Sequence, residues 1–441
     1  LAIAVLLVFS IVIIGLVMPK FVIFQKMMDK INLLTRENLT GVRVIRALNK
    51  ENYEEKKFKK ANDELTKTDL SIVKIMQLQT PIMMLVFNMT SLFAIWVGVS
   101  KLAFDMSYLG KMIAFMQYAT QVIMSFLFLT MLFVLIPRAN VSARRINEVL
   151  TTKSKILFPE KSLDVPGEDA SVEFRHVSFG YKTTEGKILD DINFIAEAGK
   201  TTAFIGSTGS GKSTLINLVP RFYDVTEGQI FINSMEIQKY SEADLINRIG
   251  LVPQRGYLFD GTVRSNILFG AEKESDIQMK KVAKIAQAAE FIEKMPKKYE
   301  TKISEGGTNV SGGQRQRLSI ARAIAKEPEI YIFDDAFSAL DMKTDRNLRK
   351  ALKKVTEKAV VLVVAQRINT IREAEQIIFL EQGRIVGKGT HYELLKNCKV
   401  YFEINKSQLS DEELKVELAL IADKVDKKES KIKNVSQEGG N

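Results

Sequence analysis

The chain has 441 residues, 46% of them hydrophobic, and a formal net charge of +11. Length alone suggests two or three domains; the single cysteine, Cys398, excludes an intrachain disulfide and a cysteine metal cluster, and the two histidines, His176 and His391, argue against a histidine metal site. The positive charge admits nucleic-acid binding, but much of the Lys and Arg sits beside apolar runs and in a C-terminal tail, which reads better as contact with anionic lipid.

The apolar content is unevenly spread. Leu1–Pro19, Ile75–Ser100 and Met112–Pro137 carry no charge. Each is long enough to cross about 30 Å of hydrocarbon as a helix. The first residue is Leu, and neither a basic n-region nor a small-residue cleavage site marks a signal peptide. The expectation is a truncated chain that begins inside a membrane helix. Lys20–Lys74 holds thirteen Lys and Arg, whereas the link between the second and third runs holds only Lys101 and Lys111, and Arg138, Arg144 and Arg145 follow the third. The positive-inside rule then places 20–74 and everything after 138 in the cytoplasm, with 101–111 outside.

Residues 20–74 read as two long helices broken near Gly41. The spacing of Val42, Ile45 and Leu48 gives a short amphipathic turn that either docks on another domain or packs within the helical pair. Met76, Met83, Met84, Phe87, Met116, Tyr118, Met124 and Phe126 either form an adaptable binding surface or face lipid and neighbouring helices. Residues 151–169, with Pro159, Pro166 and Gly167, read as a linker. From Ser171 short strands and helices alternate, which predicts an α/β domain. After about Ser407 the chain is rich in Lys, Glu, Asp and Ser, and its end, Gln437–Asn441, is expected to be disordered.

The chemistry begins at Gly206, Ser207, Thr208, Gly209, Ser210, Gly211, Lys212 and Ser213, a complete G-x-x-x-x-G-K-S string. A predicted strand, Thr201–Ile205, precedes it and a predicted helix, Lys212–Val219, opens from it. That context suits a phosphate loop whose backbone N–H groups and helix N-terminus face an anion. The ligand class is a nucleoside triphosphate with Mg²⁺. Lys212 would reach the β- and γ-phosphates, the Ser213 hydroxyl would bind the metal, and Thr214 continues the cradle. The apolar run Ile330–Asp334 suits a buried parallel strand that delivers Asp334 to the same Mg²⁺. Val310–Arg317 opens a helix running through Ala321–Ala325, and Ser311, Gly312, Gly313 and Gln314 at its N-terminus form a second anion site.

With these strings the chain resembles the C-terminal portion of an ATP-binding cassette (ABC) exporter subunit, from Leu1 to about Leu395. Ser311–Gln314 matches the family signature, with Val310 where Leu is usual. Gln254 in Leu251-Val252-Pro253-Gln254 matches the Q-loop, which senses Mg²⁺ and couples to the membrane part. Ser338–Asp341 matches the D-loop, Tyr181 the aromatic that stacks on adenine, and Glu305–Gly307 the short exporter segment before the signature. The resemblance implies a multidomain fold: an all-α transmembrane segment, the last three helices of six, followed by an α/β P-loop nucleotide-binding domain. By this reading 1–150 is a partial transmembrane domain whose loop 20–74 carries a coupling helix around Leu39–Leu48. Residues 151–169 are a linker, 170–406 the nucleotide-binding domain and 407–441 a charged tail.

Two positions depart from the family pattern. Members usually have Glu after the metal-binding Asp, where it polarises the attacking water; this chain has Asp335. Members also usually have a His after the strand equivalent to Val361–Ala365; this chain has Gln366, which cannot carry a positive charge near neutral pH. The resemblance then implies the degenerate-site half of a heterodimer in a bacterial plasma membrane. Its own ATP would be held but cleaved slowly, while its signature completes a competent site on a second subunit. The implied cargo is a small hydrophobic or amphipathic solute. Alternatives are a homodimer with slow turnover, a lipid or peptide exporter, or a non-transport ABC ATPase acting on DNA or ribosomes; the membrane runs argue against the last, and no nucleic-acid partner is expected.

Overall fold

The computed structural model describes residues 2–102, 108–162, 170–181, 186–271, 273 and 275–408. Two compact units emerge, Leu1–Lys153 and Ser154–Asn441.

The first unit is helical: α1 (Ala2–Ala47), α2 (Glu51–Gln77), α3 (Gln79–Leu102) and α4 (Tyr108–Thr151). The first apolar run is not an element of its own, because α1 continues through Pro19. The break expected near Gly41 is corrected as well. Helix α1 runs past Gly41 to Ala47, and the chain turns at Leu48–Lys50, where Asn49 takes a left-handed φ of 52°. A glycine inside a helix costs only about 1 kcal/mol, too little to interrupt a packed helix, whereas Asn is one of the few residues that enters the left-handed region readily. For the same reason Leu39–Leu48 is not a separate short helix but the cytoplasm-directed end of α1 and its turn by the charge reading. Leu39 is 72%, Val42 43% and Leu48 64% exposed, while Ile45 between them is half-buried.

Ile13 and Val17 of α1 bury against Ile72 of α2, with Phe9, Phe21 and Phe24 around them. Farther along the same pair, Lys30–Glu64 and Lys57–Glu37 form ion pairs. Pro81 falls in the first turn of α3, where its missing N–H forfeits no helical bond. Stretches within Ala4–Ala47 and Glu51–Val99 are long and apolar enough to cross a membrane, with mean hydropathy 2.6 and 2.0. The run Met112–Pro137 lies inside α4. Large apolar side chains such as Val8, Ile11, Phe93 and Trp96 point outward from these helices, the pattern of helices that meet lipid. Of the methionines and aromatics, Met83 is buried while Met84, Tyr118 and Met124 are exposed.

The segment read as a linker is tied down where it is described. Helix α4 extends to Thr151. Beyond it Leu157 O accepts from Arg221, whose guanidinium lies 4.5 Å from the Phe158 ring. Ser162 Oγ bonds the Asp244 carboxylate and accepts from the Ser241 N–H at 2.7 Å. Pro166, Gly167, residues 103–107 of the expected outside link and the tail end Gln437–Asn441 lie outside the described residues.

The second unit is α/β. Its strands are β1 (Ser171–Phe179), β2 (Leu189–Glu197), β3 (Thr201–Gly206), β4 (Glu227–Ile232), β5 (Met235–Glu236), β6 (Ile249–Val252), β7 (Gly261–Thr262), β8 (Lys302–Ile303), β9 (Ile330–Asp334), β10 (Val360–Val364), β11 (Gln376–Glu381) and β12 (Arg384–Gly389). Its helices are α5 (Lys212–Leu218), α6 (Glu242–Asn247), α7 (Val263–Ile267), α8 (Asp276–Ile285), α9 (Ala289–Glu293), α10 (Gly312–Ala325), α11 (Met342–Val355), α12 (Ile368–Ile371), α13 (His391–Asn397) and α14 (Lys399–Gln408).

Strands β2, β1, β4 and β5 form an antiparallel sheet in that order, and β12-β11-β3-β10-β9-β6 form the main sheet. In the main sheet all neighbours pair parallel except the edge pair β11–β12. Every residue of β10, Val-Val-Leu-Val-Val, is buried, as a central parallel strand covered on both faces requires. One core fills the space between the two sheets around Phe174, Phe194, Phe204 and Leu362. The other packs α7–α10 and α13–α14 on the opposite face of the main sheet.

Candidate functional site

The register of the parallel strands assembles the site. Val364 pairs with Phe204 of β3 on one side and with Asp334 of β9 on the other. Strand β6 adds to β9, with Val252 opposite Phe333. The carboxyl ends of β3, β10, β9 and β6 therefore share one edge of the sheet, where ligands of open parallel sheets bind. That edge carries the loop after Gly206, Gln366 after β10, Asp334 and Asp335 after β9, and Gln254 after β6.

The phosphate loop has the conformation its glycines permit. A Cβ on Gly206 would stand 2.0 Å from Leu380 O of the neighbouring β11, and Gly211, with φ 97°, caps α5 in the left-handed region. Lys212 is half-buried; its Nζ donates to Gly206 O at 2.8 Å, Ser207 O at 2.6 Å and Ser210 Oγ at 3.3 Å. Burial lowers its pKa, while the charges of Asp335 and Asp334 pull it back up. The ammonium thus bridges the mouth of the loop.

Ser213 Oγ donates to Asp334 Oδ1 at 3.2 Å. Burial pushes the Asp334 carboxyl above the usual carboxylate range; the Ser213 bond opposes this, the Asp335 charge adds to it and Lys212 opposes it. A hydroxyl and a carboxylate make an all-oxygen donor set, the kind a hard divalent cation takes, with its remaining positions left to phosphate and water oxygens. Among the described residues no group of three or more His, Cys, Asp or Glu could hold a metal alone.

Asp335 is the centre of a second set of contacts. It is 8% exposed and sits in the left-handed region at φ 47°, and its N–H donates to Val364 O at 3.0 Å. Gln366 Nε2 donates to Asp335 Oδ2 at 2.9 Å. Burial raises its pKa, and hydrogen bonds from Ser338 and Gln254 and the charges of Arg367 and Lys212 work the other way. The structure thus brings together Gln254, Asp335 and Gln366, three residues the sequence set far apart.

Tyr181 packs beside the start of α5. Its hydroxyl is 3.4 Å from Thr214 Oγ1, and its ring meets Phe179 and Tyr223 edge-on at 4.9 and 5.1 Å. The signature forms a separate grouping. Ser311 caps α10 in a capping box, Gln314 N donating to Ser311 Oγ at 3.3 Å and Ser311 N to Gln314 Oε1 at 3.0 Å. A Cβ on Gly313 would stand 3.2 Å from Ala339 O, so Gly313 lies against the Ser338–Asp341 segment, while Gly312 faces open space.

Two contributors carried no role in the sequence reading. Gln316 is buried and bridges the Gln254 loop, donating to Pro253 O at 3.1 Å and accepting from Gly256 N at 3.0 Å. Tyr223 backs Tyr181. Gln316 stands two residues after the Ser311–Gln314 signature, and its position one helical turn after Gly312 is the signal in the sequence.

Comparison with known proteins identifies the family. The pattern of the ABC transporter family matches residues 189–338, and that of the ABC transporter transmembrane region matches residues 1–126. An uncharacterized ABC transporter ATP-binding protein of Mycobacterium tuberculosis is 40% identical over 400 residues, covering 90% of this chain and 68% of the relative. An ATP-dependent lipid A-core flippase of Syntrophus aciditrophicus is 34% identical over 390 residues, 88% of this chain and 65% of the relative. Among solved structures, a bacterial Atm1-family ABC exporter with ATP bound superposes with a TM-score of 0.80 at 27% identity, covering 93% of this chain and 72% of that one. ABC exporters of this kind work as dimers in the membrane. The chain belongs to the ABC transporter family: it is a membrane protein of exporter type whose second unit is the ATP-binding domain of a transport ATPase.

Proposed function

We propose that this chain is the degenerate-site half of a heterodimeric exporter for a hydrophobic or amphipathic solute. The observation that carries the reading is the Gln366–Asp335 hydrogen bond of 2.9 Å. By resemblance, the two positions that depart from the family pattern are Asp335 and Gln366, and here they are spent on each other. An Asp carboxylate is one methylene shorter than Glu and sits on the order of 1.5 Å back. A misplacement of about 1 Å costs roughly 10²-fold in rate.

In this reading the Gly206–Thr214 loop cradles the phosphates with Lys212, and Ser213, Gln254 and Asp334 hold Mg²⁺. Tyr181 stacks on adenine. Ser311, Gly312, Gly313 and Gln314 contact the ATP of the partner subunit. Bound Mg²⁺ supplies charge neutralisation on the phosphates; the residues of this chain retain and orient. The exposed Leu39–Leu48 stripe is the part of 1–150 that docks on a nucleotide domain, and 170–406 is that domain in this chain. Closure of two such domains on ATP shifts the membrane part outward, provided ATP binds the closed state better than the open one.

Steady-state ATPase of the two-subunit complex tests the reading. Asp335→Asn should change it little, and removal of the partner's catalytic Glu should abolish it. A large loss from Asp335→Asn defeats the proposal. A lipid cargo is the second reading, supported by the flippase relative at 34% identity; stimulation of ATPase by lipids rather than by drug-like cations decides between them.

A further inference from the structure

The residue after β10 is held from an unexpected direction. Gln408, on the last turn of α14, donates from Nε2 to Gln366 O at 3.0 Å and accepts at Oε1 from the Ile368 N–H at 2.9 Å. One carboxamide thus straddles Arg367 and pins the backbone on both sides of it. The contact meets a need: α12 spans only Ile368–Ile371, and its N-cap residue, Arg367, makes no side-chain capping bond. The first N–H of such a helix is an orphan donor unless something else accepts it, and Gln408 accepts it.

Helix α14 is a firm base for that contact. Tyr401 is fully buried, its hydroxyl 2.7 Å from the Nδ1 of buried His391, and its ring meets Phe379 of β11 edge-on. Across the pinned segment, the Gln366 side chain donates to Asp335, and Asp335 N–H is in turn fixed to Val364 O. The path from the C-terminal helix to the Asp335 carboxylate therefore runs from the Gln408 amide to the Gln366 backbone and on through the Gln366 side chain, with the Ile368 N–H and Asp335 N–H bonds bracing its two ends.

We propose that Gln408 is a positioning residue for the ATP site: by clamping Gln366–Ile368 it sets where the Gln366 amide stands relative to Asp335 and to bound nucleotide. This makes the C-terminal helix a determinant of nucleotide retention. The inference does not depend on whether this chain's site hydrolyses fast or slowly, because the quantity it governs is how tightly ATP is held.

The test compares the natural full chain, assembled with its partner subunit, with Gln408→Ala, Gln408→Asn and Gln408→Glu. Amide hydrogen exchange is followed on the peptide containing Ile368, and azido-ATP with Mg²⁺ photolabels this chain's own loop. Loss of both bonds in Gln408→Ala should speed Ile368 exchange by about tenfold and weaken labelling several-fold, with the thermal midpoint unchanged. Gln408→Asn, one methylene too short, should behave like Ala. Gln408→Glu keeps the acceptor but loses the donor, and should fall between wild type and Ala in both readouts. Faster exchange in Gln408→Ala with unaltered labelling would show a local cap and overturn the proposal, as would unaltered exchange, or a Glu variant indistinguishable from Ala.

Discussion

Gln366 donates its side-chain amide to the buried carboxylate of Asp335, 2.9 Å away and 31 residues earlier in the chain. The two positions that, by resemblance, depart from the ABC exporter pattern look independent in the sequence and form a single contact in the fold. In the proposed reading the contact gives Asp335 an uncharged partner, where the His that the resemblance expects could add a proton.

Restoring both positions should therefore work better than restoring either. Asp335→Glu with Gln366→His is expected to raise hydrolysis at this chain's site by about 10²-fold, measured as ATPase of a complex whose partner site has been inactivated. Each single change should gain much less, since the longer carboxylate or the imidazole alone lacks its mate.

Lys212 Nζ donates to three loop oxygens. Lys212→Ala removes the one cation of the loop. A hydrogen bond to a charged group is worth about 1.5–3 kcal/mol, so ATP binding to this chain, read by photolabelling, should weaken roughly 10- to 100-fold.

Asp334 carries a pH argument. Burial raises its carboxyl pKa in the folded state, so the fold favours the protonated form. Below an unfolded value of about 3.9 both states are protonated and the group is neutral to stability. As the pH rises from there through the folded pKa, the unfolded chain ionises first and the fold loses stability; the loss is complete above the folded pKa. Asp334→Asn should accordingly raise the thermal midpoint of the nucleotide-free protein at pH 7 and abolish the extra stabilisation by Mg²⁺-ATP that comes from binding the folded state alone. Differential scanning fluorimetry with and without Mg²⁺-ATP reads both effects.

Gln316 bridges Pro253 O and Gly256 N from inside the protein. Gln316→Ala leaves two backbone groups unpaired at about 1–3 kcal/mol for a buried group, and the melting temperature should fall by roughly 2–10 °C. Gln316→Glu, which sets a buried carboxylate oxygen against Pro253 O, should lose at least as much. Because Gln254 follows Pro253, the Ala variant should also lower the Mg²⁺ sensitivity of nucleotide binding.

The chain order of residues determined a good deal by itself. The glycines and Lys212–Ser213 are contiguous, and the required strand and helix flank them, so the phosphate loop was readable without a fold. The same holds for Ile330–Asp334 and Val361–Ala365, short apolar runs that read as buried strands beside the phosphate loop, and for Ser311–Gln314, whose capping box closes within four residues. Local propensity was a poorer guide where packing competed with it: Gly41 was absorbed into α1, and the turn formed at Asn49. The tertiary structure alone decided which distant residues meet. Insertion of β10 between β3 and β9 brings Gln366 to Asp335; α10 delivers Gln316 to a loop about 60 residues upstream; and α14 returns to place Gln408 on the Gln366 backbone. Hydrogen bonds of that reach depend on strand order and helix placement, which no window of sequence encodes, because their geometry is set by the cores that α14 and the sheet share and not by the residues that make them.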